Sequence, residues 1–128
     1  MSVARLARRL RRETGADVTA SQLSALHTIG RLGPLALGDL SAAERVRPPT
    51  MTKVVASLEE SGLVTRTADP ADRRVAHVAT TALGDRFLEA SRHRRDAFLA
   101  SGLRSLSAEE RDVLERATGL LERLADCE

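Results

Sequence analysis

Two adjacent prolines, Pro48 and Pro49, constrain this chain more than any other feature. Proline lacks an amide hydrogen and has a fixed φ, so a helix tolerates it only in the first turn, where that amide would find no intrahelical partner. The pair therefore predicts a helix that starts there, and the residues behind it agree. Val54, Val55 and Leu58 follow at i, i+1 and i+4 and place an apolar stripe on one side. Gly62 after Ser61 supplies a left-handed stop, and Leu63 behind it can close the cap with an apolar contact. The expected helix has about fourteen residues and is roughly 21 Å long. Thr50, Thr52 and Lys53 lie off the stripe at its positive end, where short hydroxyls and a cation suit phosphates and base edges. Such a helix is suited to DNA recognition.

The flanking segments extend this pattern. Upstream, Gly38 or Asp39 begins a short helix whose buried side is expected to be Leu40, Ala43 and Val46; a tight turn leads from it into the Pro48 helix. Two helices joined so closely make a helix-turn-helix pattern. Downstream, Leu63 to Thr67 and Val75 to Thr80 are β-prone, and Asp69-Pro70-Ala71-Asp72-Arg73-Arg74 joins them as a turn. The resulting hairpin is a wing whose tip can carry Arg73 or Arg74 into a minor groove. Asp72 is expected to pair with one of these arginines and leave the other free. Before the short helix, Thr19-Ala-Ser-Gln22 is a capping box opening a helix with Leu23, Leu26, Ile29 and either Gly30 or Leu32 toward a core. Gly33-Pro34 ends that helix, and Leu35 to Leu37 fits a strand of one bridge. His27 lies among these apolar positions with no second ligand three or four residues away, so it reads as a packed or half-exposed histidine rather than a metal ligand.

Both ends of the chain read as helical. Ser2 to Glu13 places Val3, Leu6 and Leu10 at helical spacing among Arg5, Arg8, Arg9, Arg11 and Arg12. These arginines read as a solvated face in preference to phosphate or membrane-surface contacts. The narrow apolar stripe fits burial in a partner subunit. Thr14 to Val18 reads as a loop around Gly15. Thr81 caps a long helix carrying Leu83, Phe87, Ala90, Arg94, Ala97 and Phe98. Its basic run, Arg92-His93-Arg94-Arg95, is expected to be mostly solvated, with one member toward a groove between lobes. A second capping box, Ser107 to Glu110, starts the last helix, where Val113, Ala117, Leu120 and Leu124 form one stripe and Leu114 and Leu121 widen it. That width exceeds the need of one neighbouring helix and fits an oligomer interface of helices crossing at about 20°.

Composition narrows the function further. The 128 residues fit one compact protomer, and the 2% aromatic content leaves Leu, Val and Ala to build the core, as in helix-on-helix packing. Lys+Arg 20 against Asp+Glu 18 is too small an excess to indicate nucleic acid by itself. Cys127, the only cysteine, can form no internal disulfide; beside Asp126 and Glu128 it reads as an incidental tail thiol rather than a redox sensor. No apolar run approaches the ~18–20 residues that span a bilayer, so a soluble, cytoplasmic protein with no membrane partner is expected. There is no glycine-rich phosphate loop, no paired His/Cys/Asp cluster and no nucleophile with a credible base. Neither an enzyme nor a bound metal or other cofactor is expected.

The segment from Gly38 to Gly84 is similar to the core of the MarR family of bacterial winged helix-turn-helix regulators. The likeness is carried by Asp39-Leu40, by Pro49-Thr50-x-Thr52-Lys53, by Leu58-Glu59 and by Gly62-Leu63-Val64. Most specific is Asp69-Pro70-x-Asp72-Arg73-Arg74 with Thr81-x-x-Gly84 downstream; the likeness spans roughly residues 19 to 124. The resemblance implies a mainly α fold with a small β-hairpin wing: a winged helix-turn-helix lobe at 19–81 and a helical dimerisation lobe from 1–18 and 82–128. It implies a homodimer knitted by the N- and C-terminal helices, whose apolar stripes carry Leu6 and Leu10 at one end and Val113, Ala117, Leu120 and Leu124 at the other. Its two wings would straddle a pseudopalindromic operator in double-stranded DNA.

Members usually repress, and many release DNA when a small phenolic or otherwise lipophilic effector enters the groove between lobes. Carried over by position, Pro49, Thr50 and Lys53 fall where the family contacts DNA, with Arg73 and Arg74 on the wing. Three departures stand out. Arg45 replaces the usual turn glycine, which implies either a turn that is not left-handed or a strain of ~1 kcal/mol. Arg47 replaces the usual Ser/Thr N-cap and is expected to contact a phosphate or base instead. The first helix starts at Met1, which shifts the expected dimer contact toward the last helix. The N-terminal cysteine of the family's oxidation sensors is missing. The alternative is a winged-helix protein-interaction module without DNA binding, which a flat salt dependence would reveal.

Overall fold

A computed structural model describes residues 2–13 and 17–127; Met1, most of the expected Thr14–Val18 loop and Glu128 lie outside the described residues. The order is α1 (Ser2–Glu13), α2 (Ala20–Leu32), β1 (Leu35–Ala36), α3 (Leu37–Glu44), α4 (Pro48–Glu60), β2 (Val64–Ala68), β3 (Ala76–Thr80), α5 (Ala82–Arg104) and α6 (Ala108–Ala125). The three strands form an antiparallel sheet in the order β1-β3-β2. β3 pairs along its length with β2, from Val64 opposite Thr80 to Ala68 opposite Ala76. On its other edge it meets β1, Leu35 opposite Val78 and Ala36 opposite His77.

Local chemistry sets the helix ends. At Thr19 the side chain accepts from the Gln22 amide at 3.2 Å while Gln22 Oε1 accepts from the Thr19 amide at 3.0 Å, so both capping-box bonds form. Ser107 and Glu110 repeat this at 3.1 and 2.8 Å. α4 stops where Gly62 takes φ 72°: the Gly62 amide donates to Glu59 O at 2.9 Å and the Leu63 amide to Leu58 O at 3.0 Å. This is the paired closure that a left-handed glycine permits. α5 then starts against that same corner. Thr81 donates to Gly62 O at 2.5 Å, and a Cβ on Gly84 would lie 2.1 Å from Leu63 O, so only glycine fits there.

One core unites α2, α3, α4 and the sheet, built on Leu26, Ile29, Leu40, Met51, Val55, Leu58 and Val78, each almost wholly buried. Two expected core positions differ. α3 buries Leu40 and Ser41, whereas Ala43 is exposed. The inward row is Leu37, Leu40, Ser41 and Glu44, the i, i+3, i+4, i+7 face of a helix, and Ala43 lies off it. Ser41 is tolerated there because its hydroxyl donates to Leu37 O at 3.1 Å. On α2, Leu32 is 53% exposed, and Gly30 is the point of contact, because a Cβ there would lie 2.7 Å from Leu88 Cδ1 on α5.

The end helices behave otherwise: neither α1 nor α6 contains a buried residue. Among the described residues no helix is long and apolar enough to cross a membrane.

Candidate nucleic-acid interface

α4 leads with an unusual end. Arg47 occupies the N-cap in extended conformation and makes no side-chain cap bond, as its substitution for Ser or Thr implies. Pro48 and Pro49 have no amide hydrogens, and the next two amides, Thr50 and Met51, both donate to Arg47 O at 3.0 Å. Few free backbone donors are left at this terminus, so recognition of an anion falls to side chains. Arg47, Pro49, Thr50, Thr52 and Lys53 are all exposed, while Met51 and Val55 anchor the opposite face in the core. The side chains of Arg47, Thr50 and Lys53 have no partner among the described residues. Thr52 differs, since its hydroxyl donates to Pro48 O at 2.9 Å and keeps only acceptor capacity.

The turn before α4 resolves the choice posed by Arg45: it is left-handed, with φ 53° and ψ 41°. For a residue bearing a Cβ this costs about 1–2 kcal/mol. The turn is closed by Arg45 N–H to Ala42 O at 3.1 Å and Val46 N–H to Ser41 O at 3.0 Å.

In the wing, Asp69 organises the loop. Its Oδ1 accepts the amides of Ala71 at 2.7 Å and Asp72 at 3.2 Å, and its Oδ2 lies 2.7 Å from His77 Nε2. The His77 bond, followed by the two amides, holds the Asp69 carboxyl below its usual range. Asp72 binds Arg74 through both carboxylate oxygens, at 3.1 and 3.2 Å, and this pairing depresses its pKa as well. The paired arginine is therefore Arg74; Arg73 is exposed and has no partner among the described residues. Glu59 joins Arg66 at 3.4 Å and ties β2 to α4. Arg47, Thr50 and Lys53 at the start of α4 and Arg73 on the loop thus present exposed donors with no partner among the described residues. The His77 contribution was not anticipated: strand alternation puts His77 outward with Thr67, but only the formed hairpin brings it to Asp69.

Between α2 and α5 lies an open cleft of about 610 Å³ lined by His27, Thr28, Arg31, Asp85, Leu88 and Arg92 among others. Arg92 is the member of the basic run on its wall, whereas Arg94 donates to Glu13 O at 3.1 Å and links α5 to α1. His27 is half-buried; burial first, then the Arg95 and Arg92 guanidiniums, hold its pKa below the ordinary value. The expected dimer residues occupy the end helices: Leu6, Val113, Leu120 and Leu124 are at least half exposed, while Leu10 and Ala117 are half-buried.

The sequence and the overall architecture match a defined group of proteins. The model of the MarR family matches residues 18–76. An HTH-type transcriptional regulator of Mycobacterium tuberculosis is 42% identical over 127 residues, covering 98% of this chain and 89% of the relative. The chain belongs to the MarR family. A crystallised MarR family protein from Bacillus stearothermophilus is 31% identical and superposes with a TM-score of 0.81 over 98% of this chain and 88% of the other. FabT of Streptococcus pneumoniae, solved in complex with DNA, shares the fold at a TM-score of 0.72 with 24% identity, covering 88% of this chain and 79% of its own. This MarR-family protein is accordingly a transcriptional regulator, and not an enzyme.

Proposed function

We propose that this regulator binds a pseudopalindromic DNA operator as a homodimer and represses from it. The observation that carries the reading is the group of donors at the exposed start of α4, Arg47, Thr50 and Lys53, that have no partner among the described residues, with a further such cation, Arg73, at the wing tip. Arg47 and Lys53 meet phosphates or guanine edges, Thr50 bonds a base or phosphate, and Pro49 packs on a thymine methyl. Thr52 acts as acceptor only. Arg73 enters the flanking minor groove, and Arg74, held by Asp72, shapes the loop and adds charge.

In this reading residues 19–81 form the DNA-binding lobe, and 1–18 with 82–128 form the dimerisation lobe. Leu6, Leu10, Val113, Ala117, Leu120 and Leu124 are covered by a second copy. A small lipophilic or phenolic effector entering the α2–α5 cleft would release the DNA. A protein with this work belongs in the cytoplasm, where the chromosome is.

Selection of bound sequences from a random duplex pool tests the reading. The expected product is a pseudopalindrome whose affinity falls steeply between about 50 and 200 mM salt. No enriched duplex, or a flat salt response, would favour a protein-interaction module instead.

A further inference from the structure

Glu44 is the last residue of α3, and its carboxylate reaches across to α2. Its Oε2 accepts the Ser24 hydroxyl at 2.7 Å, and its Oε1 accepts the hydroxyl of Thr28. Ser24 and Thr28 are one helical turn apart, so both hydroxyls stand on the same face and grip the carboxylate together. Thr28 is buried and Glu44 half-buried, an environment in which hydrogen bonds to a charged acceptor are strong. Arg45 follows in its left-handed conformation, then Val46, then the N-cap of α4. Two residues separate the gripped carboxylate from the DNA-facing end. An arginine does not favour that conformation as a glycine would, so the surroundings must hold it. The backbone bonds that close the turn stay within one segment; Glu44 ties that segment to a different helix.

We propose that Glu44 is a positioning residue for operator recognition. Its carboxylate, held by Ser24 and Thr28, fixes the left-handed turn and so the direction in which α4 presents Arg47, Thr50 and Lys53. This rests on the reading that α4 enters DNA. Thr28 also lines the α2–α5 cleft, which makes the clamp a polar link between the cleft wall and the DNA-facing helix.

The probes are a duplex selected by the wild-type protein and a scrambled duplex of equal length and composition. Glu44→Ala should weaken binding to the selected duplex roughly tenfold or more, the scale of lost hydrogen bonds to a charged group. Binding to the scrambled duplex, which depends on phosphate charge, should stay within about twofold. Glu44→Gln can accept from one hydroxyl and donate to the other, and should recover most of the selectivity. Thr28→Val, which leaves Ser24 in place, should lose less than Glu44→Ala.

A merely less stable protein would lose both affinities alike. Equal losses, or unchanged selectivity in Glu44→Ala, overturn the proposal. If the wild-type protein selects no duplex, the operator reading fails on its own, and amide hydrogen exchange tests the clamp separately. Glu44→Ala should then speed exchange at Arg45 and Val46 and leave Leu26 and Leu58 unchanged; unaltered exchange at Arg45 and Val46 overturns the clamp.

Discussion

Met51 and Leu120 are both large apolar side chains on amphipathic helices, yet Met51 is 1% exposed and Leu120 54%. The contrast runs through the whole molecule. α2, α3, α4 and the sheet share one buried core, with Phe87 and Leu88 of α5 packed against it, and their hydrogen-bonded corners leave the leading end of α4 and Arg73 outward. α1 and α6 carry equally regular stripes with no buried residue. Arg9 stacks over the Phe98 ring at 5.5 Å and ties α1 to α5, but Val113, Leu120 and Leu124 stay exposed. Exposed apolar stripes of this kind fit the association surface proposed for a second copy. Periodicity alone therefore says that a face is apolar, not which chain covers it. The helix-turn-helix and wing are built around one buried core, and the proposed second copy would complete the ends.

The contrast breaks most sharply at the ends. Leu120→Glu with Leu124→Glu should give a monomer by sedimentation, with operator affinity falling by about 10²–10⁴ as two-site binding is lost. The far-ultraviolet spectrum of the helix-turn-helix lobe should survive. A double variant that remains dimeric would place the interface elsewhere.

Where α5 meets the helix-turn-helix core, the largest effect is steric. Gly84→Ala drives a Cβ against Leu63 O in the corner that joins α4, the wing and α5. It should cost about 3 kcal/mol or more, read from denaturant unfolding. A neutral result would show that this corner can open.

The wing offers a finer distinction. Arg73→Ala should weaken operator binding about tenfold and lower the salt slope by about one, because it removes an unpaired cation at the DNA face. Arg74→Ala should also loosen the loop, seen as faster exchange of the backbone amide at position 74, which in the unsubstituted chain donates to Asp72 Oδ1 at 3.1 Å. Identical behaviour of the two variants would erase the division of labour between them.

The smallest effect concerns pH at the α2–α5 junction. His27 is held below its ordinary 6.5, so the unfolded chain takes up its proton first as the pH falls. The resulting stabilisation is full above 6.5 and is lost as the pH drops through the lower folded value. Thermal melts should therefore show Tm declining as the pH falls from 6.5 toward the lower folded value and levelling off beneath it, and His27→Gln should flatten the decline. An unchanged decline in the variant would assign it to other groups.

What the sequence made legible was local. The prolines, the Gly62 stop and the two capping boxes act within four residues, and each appears where expected; α4 has 13 residues against about fourteen. The hairpin followed from Asp69-Pro70 and the flanking β-prone runs. The rest depends on how helices cross. Glu44 meets Thr28 and Ser24 from 16 and 20 residues away, and no spacing rule brings them together. Ser41 in place of Ala43 on the buried face shows a polar residue admitted because its own helix satisfies the hydroxyl. Thr52 is one of the hydroxyls expected to suit phosphates and base edges, and its hydroxyl donates to the carbonyl four residues back. The choice between Arg73 and Arg74 was open until the loop geometry assigned Arg74 to Asp72.

The central claim is that two copies of α4 enter one face of the duplex side by side. Methylation protection of guanine N7 atoms on the selected duplex tests it most directly, because that atom lies in the major groove. Two protected patches centred about 10–10.5 base pairs apart, both lost in Lys53→Ala, are the expected result. A single patch, or protection that Lys53→Ala leaves intact, would contradict the account.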